Sequence, residues 1–108
     1  MRSTPFRFLL VLCALLCIGL VCCQKTPHHV TLTWQPPPPI PGVSVVSYNV
    51  YRSTTSGGPF VKLASRVPAL TYDDRIVISG RTYFWVVTAV DQAGRESRFS
   101  AEVRATIP

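Results

Sequence analysis

The run GRTYFWVVTAVD, Gly80 to Asp91, alternates with a period of two. Tyr83, Trp85, Val87 and Ala89 fall on one face, and Phe84, Val86, Thr88 and Val90 on the other. β-Branched and aromatic residues at most of these positions suit a pleated, at least half-buried surface, and Gly80 supplies a permissive backbone for the turn just before it. This segment is a strand, and it commits the chain to a sheet.

The rest of the chain after residue 27 agrees. Short alternating segments punctuated by Pro, Gly and Ser recur at intervals suited to antiparallel strands, and none shows helical periodicity. Val30, Leu32 and Trp34 alternate with Thr31 and Thr33, and Val46, Tyr48 and Val50 with Ser47, Asn49 and Tyr51. Pro36 to Pro39 and Pro41 forbid ladder pairing in the loop between, because proline donates no hydrogen bond. Thr54 to Pro59 is a turn cluster before a short strand, Phe60 to Leu63. Leu70 to Tyr72 is another strand, before a turn at Asp73 and Asp74, and Ile76 to Ile78 leads to the Gly80 turn. Asp91 to Gly94 is a second hairpin loop, and Val103 and Ala105 point one way from a last strand. The predicted core is Trp34, Tyr48, Val50, Leu63, Tyr72, Val77, Tyr83, Trp85, Val87, Ala89 and Val103.

The N-terminus has a different character. Arg2 and Arg7 precede an apolar run from Phe8 to Cys23, which breaks into Gln24, Lys25, Thr26 and Pro27. At about 16 residues the run is at the upper end for the core of an export signal and short of the roughly 20 that span a bilayer. The expected organisation is a leader helix at 1–23 (signal peptide, lipoprotein signal or membrane anchor), a linker at 24–27 and one domain at 28–108. All four cysteines, Cys13, Cys17, Cys22 and Cys23, lie in the leader, so the domain forms no internal disulfide and stands on its core. The end of the leader resembles a bacterial lipoprotein signal: Leu20 and Val21 match that pattern for Cys23, with Cys22 where a small residue is usual. Cys23, and less well matched Cys22, are the candidate lipidation sites. The expected location is outside the cytoplasm: membrane-anchored, periplasmic, at the cell surface or secreted.

Of eleven basic residues, Arg2 and Arg7 belong to the leader, leaving nine against five acidic ones. The nine are dispersed and never form a run, which argues for a solvated surface and against nucleic-acid binding.

With its elements placed, the chain from about His28 to Pro108 resembles a fibronectin type III domain. A turn followed by Tyr83 is similar to the tyrosine corner of immunoglobulin-like sandwiches, whose phenol bonds back to backbone a few residues upstream. Trp34 followed by Gln35, Pro36 and Pro37 resembles the family's strand B, Tyr48, Val50 and Tyr51 its strand C, and Val77, Gly80, Tyr83 and Ala89 to Asp91 its strand F. The resemblance implies an all-β, immunoglobulin-like sandwich of six or seven antiparallel strands. So few residues lie between leader and Val30 that strand A is expected to be truncated or missing, leaving an open edge or one completed by a partner.

Chemistry-bearing patterns are sparse. His28 and His29 are adjacent, so on a strand they point to opposite faces and do not chelate one metal. Asp73, Asp74 and Asp91 sit in predicted turns, and the domain has no cysteine, phosphate loop or nucleophile elbow. No catalytic, metal or cofactor site is expected. Phe84 and Val86, facing away from the core beside Tyr51 on the neighbouring strand, form a candidate exposed partner surface, with Arg95 and Glu96 in the hairpin loop as further contacts. The expected function is that of a non-catalytic exported module that binds protein or carbohydrate, or acts as a spacer, at the cell surface, held to the membrane by leader or lipid. Two alternatives are an accessory subunit of an extracellular glycan-degrading enzyme and a small single-pass membrane protein.

Overall fold

The computed structural model describes residues 10–15 and 28–108. Seven strands form among them: β1 (Leu10–Leu15), β2 (His29–Trp34), β3 (Val45–Ser53), β4 (Val61–Val67), β5 (Thr71–Asp74), β6 (Thr82–Asp91) and β7 (Val103–Thr106). They make two antiparallel sheets, one ordered β1-β2-β5 and the other β4-β3-β6-β7. No helix among the described residues is long and apolar enough to cross a membrane.

The period-two residues of each strand meet between the sheets. Val30, Leu32 and Trp34 of β2 pack with Tyr48 and Val50 of β3 and with Tyr83, Trp85, Val87 and Ala89 of β6. Leu63, Tyr72, Val77 and Val103 pack against this cluster half-buried, so every member of the predicted core joins it. Val30, Leu32 and Ile107, outside that prediction, are also buried there.

Tyr83 makes the expected corner: its hydroxyl accepts a 3.1 Å hydrogen bond from the backbone N–H of Ile78. Gly80, at φ +84°, turns the chain in the left-handed region that favours glycine. Its N–H bonds the carbonyl of Ile107, whose own N–H bonds that of Arg81, so the residue just after β7 bolts the corner in place.

Two expectations are corrected. Asp73 and Asp74 are not a turn but the end of β5, with Asp74 facing inward and only 2% exposed. Its carboxylate takes bonds from Arg52 Nη1 (2.9 and 3.1 Å), Trp85 Nε1 (2.9 Å) and the Ile76 N–H (3.0 Å), tying the three-stranded sheet to the other through one buried ion pair. The Arg52 guanidinium also lies 4.9 Å from the centre of the Tyr83 ring. A turn reading of the Asp-Asp pair accounts for the local bond from Ile76 but misses Arg52 and Trp85, which lie 22 and 11 positions away.

The position expected to lack a strand is the second. Leu10–Leu15 lies antiparallel to β2 from Leu10 opposite Trp34 to Leu15 opposite His29, completing that edge of the sheet. Apart from these six residues, the expected leader and linker, with Cys22 and Cys23, lie outside the described residues.

Candidate binding face on the outer sheet

The outer face of the four-stranded sheet is built by residues that alternate with the core set. On it Asn49, Tyr51 and Ser53 of β3 stand opposite Thr88, Val86 and Phe84 of β6. What lies over them is decided by the hairpin after β6. Asp91 Oδ1 accepts the N–H groups of Ala93 (2.9 Å) and Arg95 (2.8 Å), and Oδ2 takes Arg95 Nε (2.8 Å). Burial pushes the Asp91 carboxyl up, but these bonds outweigh it and hold the group below the usual range. The tight turn sends the chain back along β6.

The returning segment does not form a regular ladder. The Ser97 N–H donates to the Ala89 carbonyl and the Ser97 hydroxyl accepts the Ala89 N–H, both at 2.8 Å. Ser100 does the same with Val87, at 2.8 and 2.9 Å. Three residue steps on one strand thus face two on the other, with serine hydroxyls replacing the carbonyls that would normally accept. Arg98 and Phe99 are freed from the ladder. The Phe99 ring packs edge-on at 5.0 Å from Tyr51 and 5.4 Å from Phe60, and Lys62 Nζ lies 5.8 Å from the Tyr51 ring centre. Phe99 keeps 49% of its surface exposed.

Phe60 is held by its own turn. Glu102 accepts bonds at 2.7 Å from the Ser56 hydroxyl and the Gly57 N–H, which hold its carboxyl below the ordinary glutamate range. At Gly58 (φ +95°) an added Cβ would come within 2.9 Å of the Phe60 ring, so loop and ring fit closely only with glycine there.

Beside the rings stands Glu96. Its Oε2 accepts from Thr88 Oγ1 (2.6 Å), Asn49 Nδ2 (3.1 Å) and the Tyr51 hydroxyl. Asn49 Oδ1 in turn accepts the N–H of Arg66, a left-handed residue (φ +56°) at a bulge of β4, so the carboxylate is backed by an edge-strand irregularity as well as by β3 and β6. Partial burial pushes the Glu96 carboxyl up, but the bonds from Thr88, Tyr51 and Asn49 and the charge of Lys62 outweigh it and lower the group. Burial and the same carboxylate push the Tyr51 phenol up. Tyr51, Thr88, Glu96, Ser97, Arg98 and Phe99 line an open depression of about 490 Å³. Among the described residues no cluster of His, Cys, Asp and Glu suits a metal ion.

Of the expected partner surface, the structure brings Tyr51 and Glu96 together and separates the rest. Phe84 (8% exposed) and Val86 (2%) do face away from the inter-sheet core, but they are buried and offer no partner surface. Alternation assigns a face; what closes over it is set by residues elsewhere. Arg95 is pinned to Asp91 in the hairpin. Phe60, Lys62 and Phe99 were missed, although a lone aromatic in the polar stretch Arg95 to Glu102 was a usable signal for Phe99.

No family model matches the chain. It is 53% identical over 60 residues to an amylopullulanase of Thermoanaerobacter thermohydrosulfuricus, a match covering 56% of this chain and 4% of that protein. It is 35% identical over 88 residues to a poly(3-hydroxybutyrate) depolymerase of Ralstonia pickettii, covering 82% of this chain and 16% of the other. The chain therefore spans a small fraction of the curated relatives it matches. Among solved structures, an Fn3-like protein from Clostridium thermocellum superposes with a TM-score of 0.65 at 38% identity, over 79% of this chain and 82% of that one. With the strand order, the tyrosine corner and this identity along most of both chains, the protein belongs to the fibronectin type III-like family.

Proposed function

We propose that this chain is a non-catalytic module that works beside a glycan-degrading enzyme outside the cytoplasm. The observation that carries the reading is the 53% identity to a segment of an amylopullulanase. The matched segment is 4% of that enzyme's length, and this chain's own surface beside it offers the half-exposed Phe99 for contact. The alternative expectation from sequence, an accessory subunit, is thus favoured over a general cell-surface binder.

Co-purification tests this. The chain, recovered from the exported fraction of its native cells, is expected to retain activity that hydrolyses starch or pullulan through several purification steps. A chain found only in the cytoplasm, or one that sheds all glycan-hydrolysing activity, overturns the reading. The match to a poly(3-hydroxybutyrate) depolymerase favours a second reading, in which the accompanying enzyme degrades a polyester. Retained activity on that polyester and none on glucans selects it.

A further inference from the structure

We propose that the depression formed by Tyr51, Glu96, Arg98 and Phe99 binds an uncharged oligosaccharide, stacking a sugar ring on Phe99 and accepting its hydroxyls on Glu96. The inference rests on the module reading above and names the surface and ligand class. Three features point to it. Phe99 shows half its surface to solvent, so a ring is available to the apolar C–H face of a pyranose. Among the described residues the hydrogen bonds to the Glu96 carboxylate fall on Oε2, which leaves Oε1 as an acceptor on a residue that lines the depression. Glu96 is held in its charged form, the form that accepts hydroxyl donors most strongly.

The charges around the depression decide between ligand classes. Lys62 and Arg98 stand with Glu96 in a mixed set, neither strongly positive nor negative, so a polyanion or polycation finds no matching field. A neutral ligand with vicinal hydroxyls and an apolar face fits both the rings and the carboxylate. Little ordering is required on binding, because the two serine clamps and the Glu102-held loop already fix Phe99 and Phe60.

Native gel electrophoresis of the full chain through gels containing amylose or pullulan, with titration of maltoheptaose, tests the site. The wild type and Arg95→Ala should be retarded alike. Phe99→Ala should bind about tenfold more weakly, the loss typical of truncating an anchoring aromatic, and Glu96→Gln several-fold more weakly. Phe99→Trp, which keeps a ring should the alanine variant fail to fold, should bind as well as the wild type or better. Absence of retardation of the wild type overturns the site, as does equal retardation of a folded Phe99→Ala. Loss of a wild-type dimer in Phe99→Ala also overturns it, because a second copy is then the occupant. Failure here leaves co-purification with a hydrolase untouched, so a spacer module without a sugar site is distinguishable from a wrong assignment of the partner enzyme.

Discussion

Two carboxylates, Asp74 and Glu96, each gather donors from three other residues, and they differ in nearly everything else. Asp74 lies between the sheets, uses both oxygens, and has its charge compensated by Arg52. Glu96 lies on the outer face and, among the described residues, takes three neutral donors on one oxygen and none on the other. A buried charge survives only where every lone pair and its countercharge are provided. A solvated one can keep an acceptor in reserve. The first arrangement is architecture, and the second is available to a ligand.

Breaking the inner arrangement should have the largest effect. Asp74→Ala leaves Arg52 and the Trp85 N–H without their partner between the sheets and should cost about 3–5 kcal/mol, measured as the loss in unfolding free energy in urea. A loss below about 1 kcal/mol would mean that the two sheets do not depend on this tie. Tyr83→Phe comes next. It orphans the Ile78 N–H at the corner while keeping the ring under Arg52, and should cost about 1–2 kcal/mol by the same measurement.

On the outer face the effects shrink and acquire a pH dependence. Glu96→Gln should cost about 0.5–1 kcal/mol at pH 7, discounted because the group is solvated. Because folding lowers the Glu96 pKa, the stability it contributes is fully present above the ordinary glutamate value of about 4.3 and is lost as pH falls through the lower folded value. The gap between wild type and Glu96→Gln should therefore close between about pH 4.5 and pH 2, as read from urea midpoints across that range. A gap that persists at pH 2 would assign Glu96 a packing role instead. The smallest effect belongs to Arg95→Ala, within about 0.5 kcal/mol, since the Arg95 side of its ion pair with Asp91 is mostly exposed and two backbone donors remain to hold the turn. A larger loss in thermal unfolding would show that the arginine, not the aspartate, closes the hairpin.

Much of this molecule is written locally in the chain. The strands at Val30–Trp34, Val45–Ser53 and Thr82–Asp91, their inward faces, the proline-stiffened loop and the Gly80–Tyr83 corner all follow from alternation and turn chemistry, which act over a few residues. The face of Phe84 and Val86 is legible in the same way. Their burial is not, and neither are the Asp74 tie, the seating of Leu10–Leu15 beside β2 or the meeting of Phe99 with Tyr51 and Phe60. Each of these depends on which residues distant in the chain are brought to one place, and on a one-residue slip at Ser97 and Ser100 that turns Phe99 out of the ladder. Alternation along the chain is enough to set the strands and their inner surfaces, because side-chain period is a property of the strand. What covers the outer surface, and how the donors are shared between the oxygens of Asp74 and Glu96, is set by contacts between strands that the period does not encode.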